Sequence, residues 1–183
     1  MLSTRRKFAA ALAASPAVFS SSRPASKPLV TGSGANTFEV IHDWGELPKS
    51  IGYGNTHGVC VDSAGHVYVH HTVHATSESA DSMVVFDRAG TFVRSWGSQF
   101  RGVAHGLHIR REGRDDFLYL TLTAASPRQS PPPGAHAAVI KMTTRGEVVW
   151  TIAGPPDIKE YQPAADGTPA RYNPTNVAIA PNG

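Results

Sequence analysis

A hairpin pattern that the chain writes repeatedly predicts an all-β fold, built from four-stranded units like the blades of a β-propeller. Three observations carry this. Residues 57–71, HGVCVDSAGHVYVHH, read as strand, turn and strand, with Asp62 and Gly65 where a type I turn favours them. The pattern returns at 105–123, HGLHIRREGRDDFLYLTLT, and begins again at 174–183, PTNVAIAPNG. A second hairpin, MVVFDRAGTFVRSWG at 83–97, has its counterpart in AVIKMTTRGEVVWTIAG at 138–154. Two hairpins make one repeat, and the spacing from His57 to His105 matches blades of about 40–50 residues.

In chain order, the N-terminus stands apart from the repeats. Arg5-Arg6-Lys7-Phe8 opens an apolar, alanine-rich run to Phe19 that is too short for the roughly 20 residues a bilayer demands. It resembles a twin-arginine (Tat) export signal, which implies a leader at 1–22 and a periplasmic or secreted protein with no membrane span after signal removal. Residues 23–37, rich in Pro, Ser and Gly, read as a linker. FEVIHDWG at 38–45 matches the last strand of a repeat and reads as a closing strand. Residues 57–97 then form blade 1 and 105–154 blade 2, and 174–183 starts blade 3, so 38–183 reads as the N-terminal part of a longer propeller. Insertions at 126–136 and 155–173 belong on loops.

Charge and cysteine content exclude some functions. The formal charge is +3, but residues 1–27 hold five basic side chains (Arg5, Arg6, Lys7, Arg23, Lys27) and no acid, so the balance without them is −2. A nucleic-acid partner, which rests on clustered positive charge, loses its support. A single cysteine, Cys60, allows no internal disulfide, and its place between valines suits packing.

Nine histidines are many for this length, and their positions matter more than their number. His57 and His105 occupy the same place in successive repeats, just ahead of the innermost strand, where a propeller gathers equivalent positions around its channel. Imidazoles converging there could hold a metal. Thr175 takes that place in the third repeat. His66, His70, His71 and His74 cluster near the second strand. Alternation puts His66, Tyr68 and His70 on one side and His71 on the other, beside Val67 and Val69. The simplest reading of His66, His70 and His74 is a polar, partly exposed strand end. His108 points away from His105. Asp62 and Asp87 read as turn residues, and Arg110–Glu112 with Arg114–Asp116 as a solvated turn.

The repeat consensus G-V-x-V-D-x-x-G-x-V-Y-V, followed by F-D-x-x-G-x-F-x-x-S-W-G, resembles the NHL repeat family, whose propellers usually have six blades and are expected to be monomeric when complete. Gly58, Asp62, Gly65, Tyr68, Phe86, Asp87, Gly90 and Trp96 are among the matching residues. VAHGLHI at 103–109 with NPTNVAI at 173–179 is similar to the peptidyl-α-hydroxyglycine α-amidating lyase branch. That resemblance implies a zinc held by histidines, with His105 as one ligand and His57 as a second group at the channel mouth. It implies a structural calcium near the backbone of Leu107, and a peptide or small-molecule substrate of α-hydroxyglycine type. An arginine that the family places after the second strand is missing, and His71-Thr72 stands there instead. His71 is therefore the candidate catalytic contact to the substrate carboxylate. The alternative is a non-catalytic propeller whose loops bind a protein or glycan.

Overall fold

The computed structural model describes residues 29–124, 131–155, 157–162, 165–166 and 172–180. The leader at 1–22, the start of the linker at 23–28, and parts of both insertions lie outside the described residues. The chain divides into two units, one ending at His42 and one beginning at Asp43.

The first unit is an exposed hairpin, β1 (Leu29–Ser33) paired antiparallel with β2 (Asn36–Val40). Of the stretch read as a linker at 23–37, the described residues 29–37 thus lie in a hairpin. Gly34, with φ 57°, opens a two-residue turn between Ser33 and Asn36, and Leu29-Val30-Thr31 suits an extended strand. The stretch 38–45 is not one strand either. β2 ends at Val40, and Asp43 has the left-handed φ of 56°.

The second unit holds two sheets of four antiparallel strands, each an up-and-down meander. Sheet 1 is β3 (Thr56–Val61), β4 (Val67–His71), β5 (Met83–Phe86) and β6 (Phe92–Trp96). Sheet 2 is β7 (Ala104–Glu112), β8 (Asp115–Leu122), β9 (Ala138–Thr143) and β10 (Val148–Ile152). The all-β expectation and the four-stranded unit are therefore as read from the repeats. The expected solvated turn at 110–116 is smaller than predicted. Glu112 pairs with Asp115, leaving only Gly113 (φ 64°) and Arg114 between the strands.

Three hairpin turns are built alike. Gly65, Gly90 and Gly146 take φ of 92°, 86° and 92°, a region where a Cβ is penalised. Their amides donate to the carbonyls of Asp62, Asp87 and Thr143 at 3.0, 3.1 and 3.0 Å. The side chains of those three residues accept two further amides each. Asp62 Oδ1 takes Ala64 and His66, Asp87 Oδ1 takes Ala89 and Thr91, and Thr143 Oγ1 takes Arg145 and Glu147. Asp and Thr are interchangeable here because only an acceptor oxygen is needed.

Alternation decides which side chains meet between the sheets. Tyr68, Met83 and Val85 of sheet 1 join Leu107, Leu118, Leu120, Leu122, Ile140 and Met142 of sheet 2 in one buried cluster, with Cys60 and Trp96 packed against it. Each of the larger aliphatic side chains contributes about 1.5–3 kcal/mol by leaving water. The opposite face of sheet 1, with Val84 and Phe86, is covered by Leu47, Ile51 and Tyr53, and by Trp44 edge-on to Phe86. β10, in contrast, is exposed along its whole length.

Candidate functional site

Both repeated histidines sit on β-bulges. In β3, Thr56 pairs with His71 and Gly58 with His70, so His57 is the extra residue. In β7, Ala104 pairs with Leu122 and Leu107 with Leu120, so His105 and Gly106 together oppose Thr121. A bulge bends a strand and re-aims the side chain it carries. Here both bulges re-aim an imidazole toward the same place. The rings of His57 and His105 stack, with centroids 4.1 Å apart and planes 19° from parallel.

Glycine makes this approach achievable. A Cβ on Gly58 would lie 2.8 Å from the Leu107 amide nitrogen and closer still to the Leu107 Cβ. A Cβ on Gly106 would lie 2.7 Å from the Thr175 carbonyl oxygen and 2.9 Å from the Asn176 Cα. Thus β7 lies against β3, and residues 175–176 lie against β7 at the matching point. Residues 172–180 are not in a strand. Expected blade-3 residues 181–183 lie outside the described residues.

Hydrogen bonding sets the form of His105. Its Nδ1 lies 2.7 Å from the Thr175 carbonyl oxygen, which can only accept, so Nδ1 is the protonated nitrogen of this contact and Nε2 is the one that faces away from it. For His57, burial and then the neighbouring His105 lower the pKa, which keeps the imidazole neutral at physiological pH. A carbonyl at one ring nitrogen, as Thr175 supplies to His105, is the arrangement that orients a histidine whose other nitrogen is to bind a ligand. Among the described residues, no group of three or more His, Cys, Asp or Glu side chains is gathered for a metal ion. The His57 and His105 rings lie side by side and nearly parallel, so their in-plane lone pairs run alongside one another.

In the second histidine cluster, His70 departs from its expected partial exposure, while His71 lies on the apolar side as alternation predicts. His70 and His71 are both fully buried, because β4 is covered on its two faces. His70 donates from Nδ1 to the His105 carbonyl at 3.2 Å and stands edge-on to Phe100, while its Nε2 has no partner among the described residues. Burial pushes its pKa down to about 3. His71 lies edge-on to Tyr53 and accepts the Val73 amide at Nδ1, at 3.1 Å. Its pKa falls to about 4 through burial, which Asp81 opposes in part. His71 is therefore neutral and enclosed, without the positive charge of the arginine whose place it takes. Leu107 is a buried core side chain, in contact range of Gly58. His66 and His74 do lie at the surface, on Asp62 and Thr76 respectively.

Sequence reasoning missed a set of tyrosine, carboxylate and cation that recurs in the two sheets. Tyr68 donates to Asp62 Oδ2 at 3.0 Å, and Arg94 reaches the Tyr68 hydroxyl at 3.4 Å and the carbonyl of Thr144, in the turn between β9 and β10, at 2.9 Å. In sheet 2, Tyr119 donates to Glu112, and Lys141 pairs with the same carboxylate at 2.6 Å. Burial alone would raise Asp62, but the amide and ring of His66 together with Tyr68 outweigh it and hold the carboxyl below its usual value. Burial, then Asp62, pushes the Tyr68 phenol up to about 12. The signal was present as VYV and LYL at matching repeat positions, but the acid partners sit at different distances from their tyrosines. Cys60 packs against the core, and burial followed by Asp62 raises its thiol to about 12, as suits a packing residue.

No family model, curated protein or solved structure matches the chain.

Proposed function

We propose that this chain contributes His57 and His105 to a metal site at the channel mouth of an exported NHL-type β-propeller, with activity like that of the α-amidating lyases. The observation that carries this reading is that the two repeat-equivalent histidines meet, with Nδ1 of His105 committed to a carbonyl; their rings stack nearly parallel, with lone pairs side by side, so one ring would have to turn for both to hold the same ion. Two imidazoles fill half of a tetrahedral zinc shell, and the remaining ligands would come from residues outside the described ones, from water or from substrate. Bound zinc would supply Lewis acidity toward the hydroxyl of an α-hydroxyglycine-type substrate. His105 and His57 would hold the ion, and the Thr175 carbonyl would keep His105 in the tautomer that binds it. A structural calcium near the Leu107 backbone belongs to the same reading.

The missing arginine and the enclosed His71 favour a second reading, a propeller without this chemistry whose loops bind a protein or glycan. Metal content separates the two. The full chain and its His105→Ala form, dialysed against zinc and analysed by elemental mass spectrometry, should differ. About one ion per chain in the parent and a clear loss in the variant support the first reading. Equal content in both, or none in either, removes it and leaves the scaffold.

A further inference from the structure

We infer that His70 and Thr121 are positioning residues, which clamp the peptide group following His105 and thereby set the direction of its imidazole. This deepens the metal-site reading and rests on it.

The carbonyl of His105 and the amide of Gly106 belong to one peptide group. Because His105 and Gly106 together face the single Thr121 across the β7–β8 ladder, this group falls out of regular pairing. Its two polar ends are taken up by side chains instead. The His105 carbonyl accepts from Nδ1 of His70 at 3.2 Å, and the Gly106 amide donates to Oγ1 of Thr121 at 2.8 Å. Both side chains are fully buried, so water cannot substitute for either. With both ends fixed, rotation of the peptide plane is blocked, and the Cα–Cβ direction of His105 is fixed with it.

The two clamping residues are equivalents in the repeat. His70 follows VYV in β4, and Thr121 follows LYL in β8. Thr121 is short and serves its own sheet. His70 is longer and reaches from β4 of sheet 1 to β7 of sheet 2. The close passage of β3 against β7 at Gly58 keeps that span short. A purely structural buried histidine would not need to end on the peptide that carries the neighbouring repeat's histidine.

The test uses the full chain with four substitutions: Thr121→Val and His70→Leu, which remove the clamp, and Thr121→Ser and His70→Asn, which keep an acceptor and a donor. Circular dichroism checks folding, ring-to-ring NOEs between His57 and His105 report the geometry without metal, and Co²⁺ titration reports affinity. The clamp predicts that Thr121→Val and His70→Leu lose the NOEs and weaken Co²⁺ binding about 10–100-fold, with recovery in Thr121→Ser and His70→Asn. Unchanged NOEs in folded Thr121→Val overturn the clamp. If His70→Leu does not fold, the nearly isosteric Thr121→Val decides alone. If the parent shows the NOEs but binds no Co²⁺, the metal reading fails, and the clamp's effect on geometry stands or falls by the NOEs.

Discussion

Acidification should destabilise this fold through His71, by an amount the structure lets one work out. In the unfolded chain an imidazole titrates near 6.5, whereas burial holds His71 at about 4 in the folded state. The folded pKa is depressed, so the unfolded state binds the proton more readily. Stability from this group is therefore present above about pH 6.5 and is lost as pH falls from there toward 4. Between pH 7 and pH 5 the linkage integral gives a loss of about 2 kcal/mol, a sizeable part of a typical 5–15 kcal/mol stability. His71→Asn removes the titration, and an Asn oxygen can still accept the Val73 amide two residues on, as Asx turns do. The substitution costs stability at every pH by leaving space against Tyr53, so the slopes are compared and not the absolute values. Urea unfolding at pH 7, 6 and 5 should show the parent midpoint falling further than the variant's, by about 1 M at ordinary m-values. His70, shifted in the same direction, stays in both proteins and cancels. Parallel midpoint-against-pH lines would show that His71 is not buried as a neutral group, and the argument would fail.

Two other substitutions probe how the sheets are brought together. Gly58→Ala places a Cβ against the backbone and side chain of Leu107, so overpacking should cost about 1–3 kcal/mol and weaken the His57–His105 ring contact, seen as a lower urea midpoint and reduced ring NOEs. Tyr68→Phe removes the hydroxyl between Asp62 and Arg94 and should cost about 1–2 kcal/mol. The same change should raise the Asp62 pKa by removing one of its donors, measurable by carboxyl NMR titration.

Local pattern in the sequence was enough to place the repeating hairpins. Val67-Tyr68-Val69 beside Asp62-Ser63-Ala64-Gly65 signals two extended segments around a turn, because alternation and left-handed glycine are properties of neighbouring residues. The equivalence of His57 and His105 was legible for the same reason. Their contact was not, since a 4.1 Å ring stack depends on two bulges and on how closely β3 and β7 pass at Gly58. Composition misled at 29–37, where Gly and Ser suggested a linker and strand pairing made a hairpin. It misled again at His70, which is polar by type but enclosed because both faces of β4 are covered, whereas alternation places His71 on the apolar side. Burial is set by what arrives from distant parts of the chain, namely Tyr53 for one histidine and the His105 carbonyl for the other. The sequence by itself determined the hairpins of the two repeats and the repeated histidine position. Only tertiary structure decided which histidines stay neutral and buried, which two meet, and which side chains hold the peptide between them.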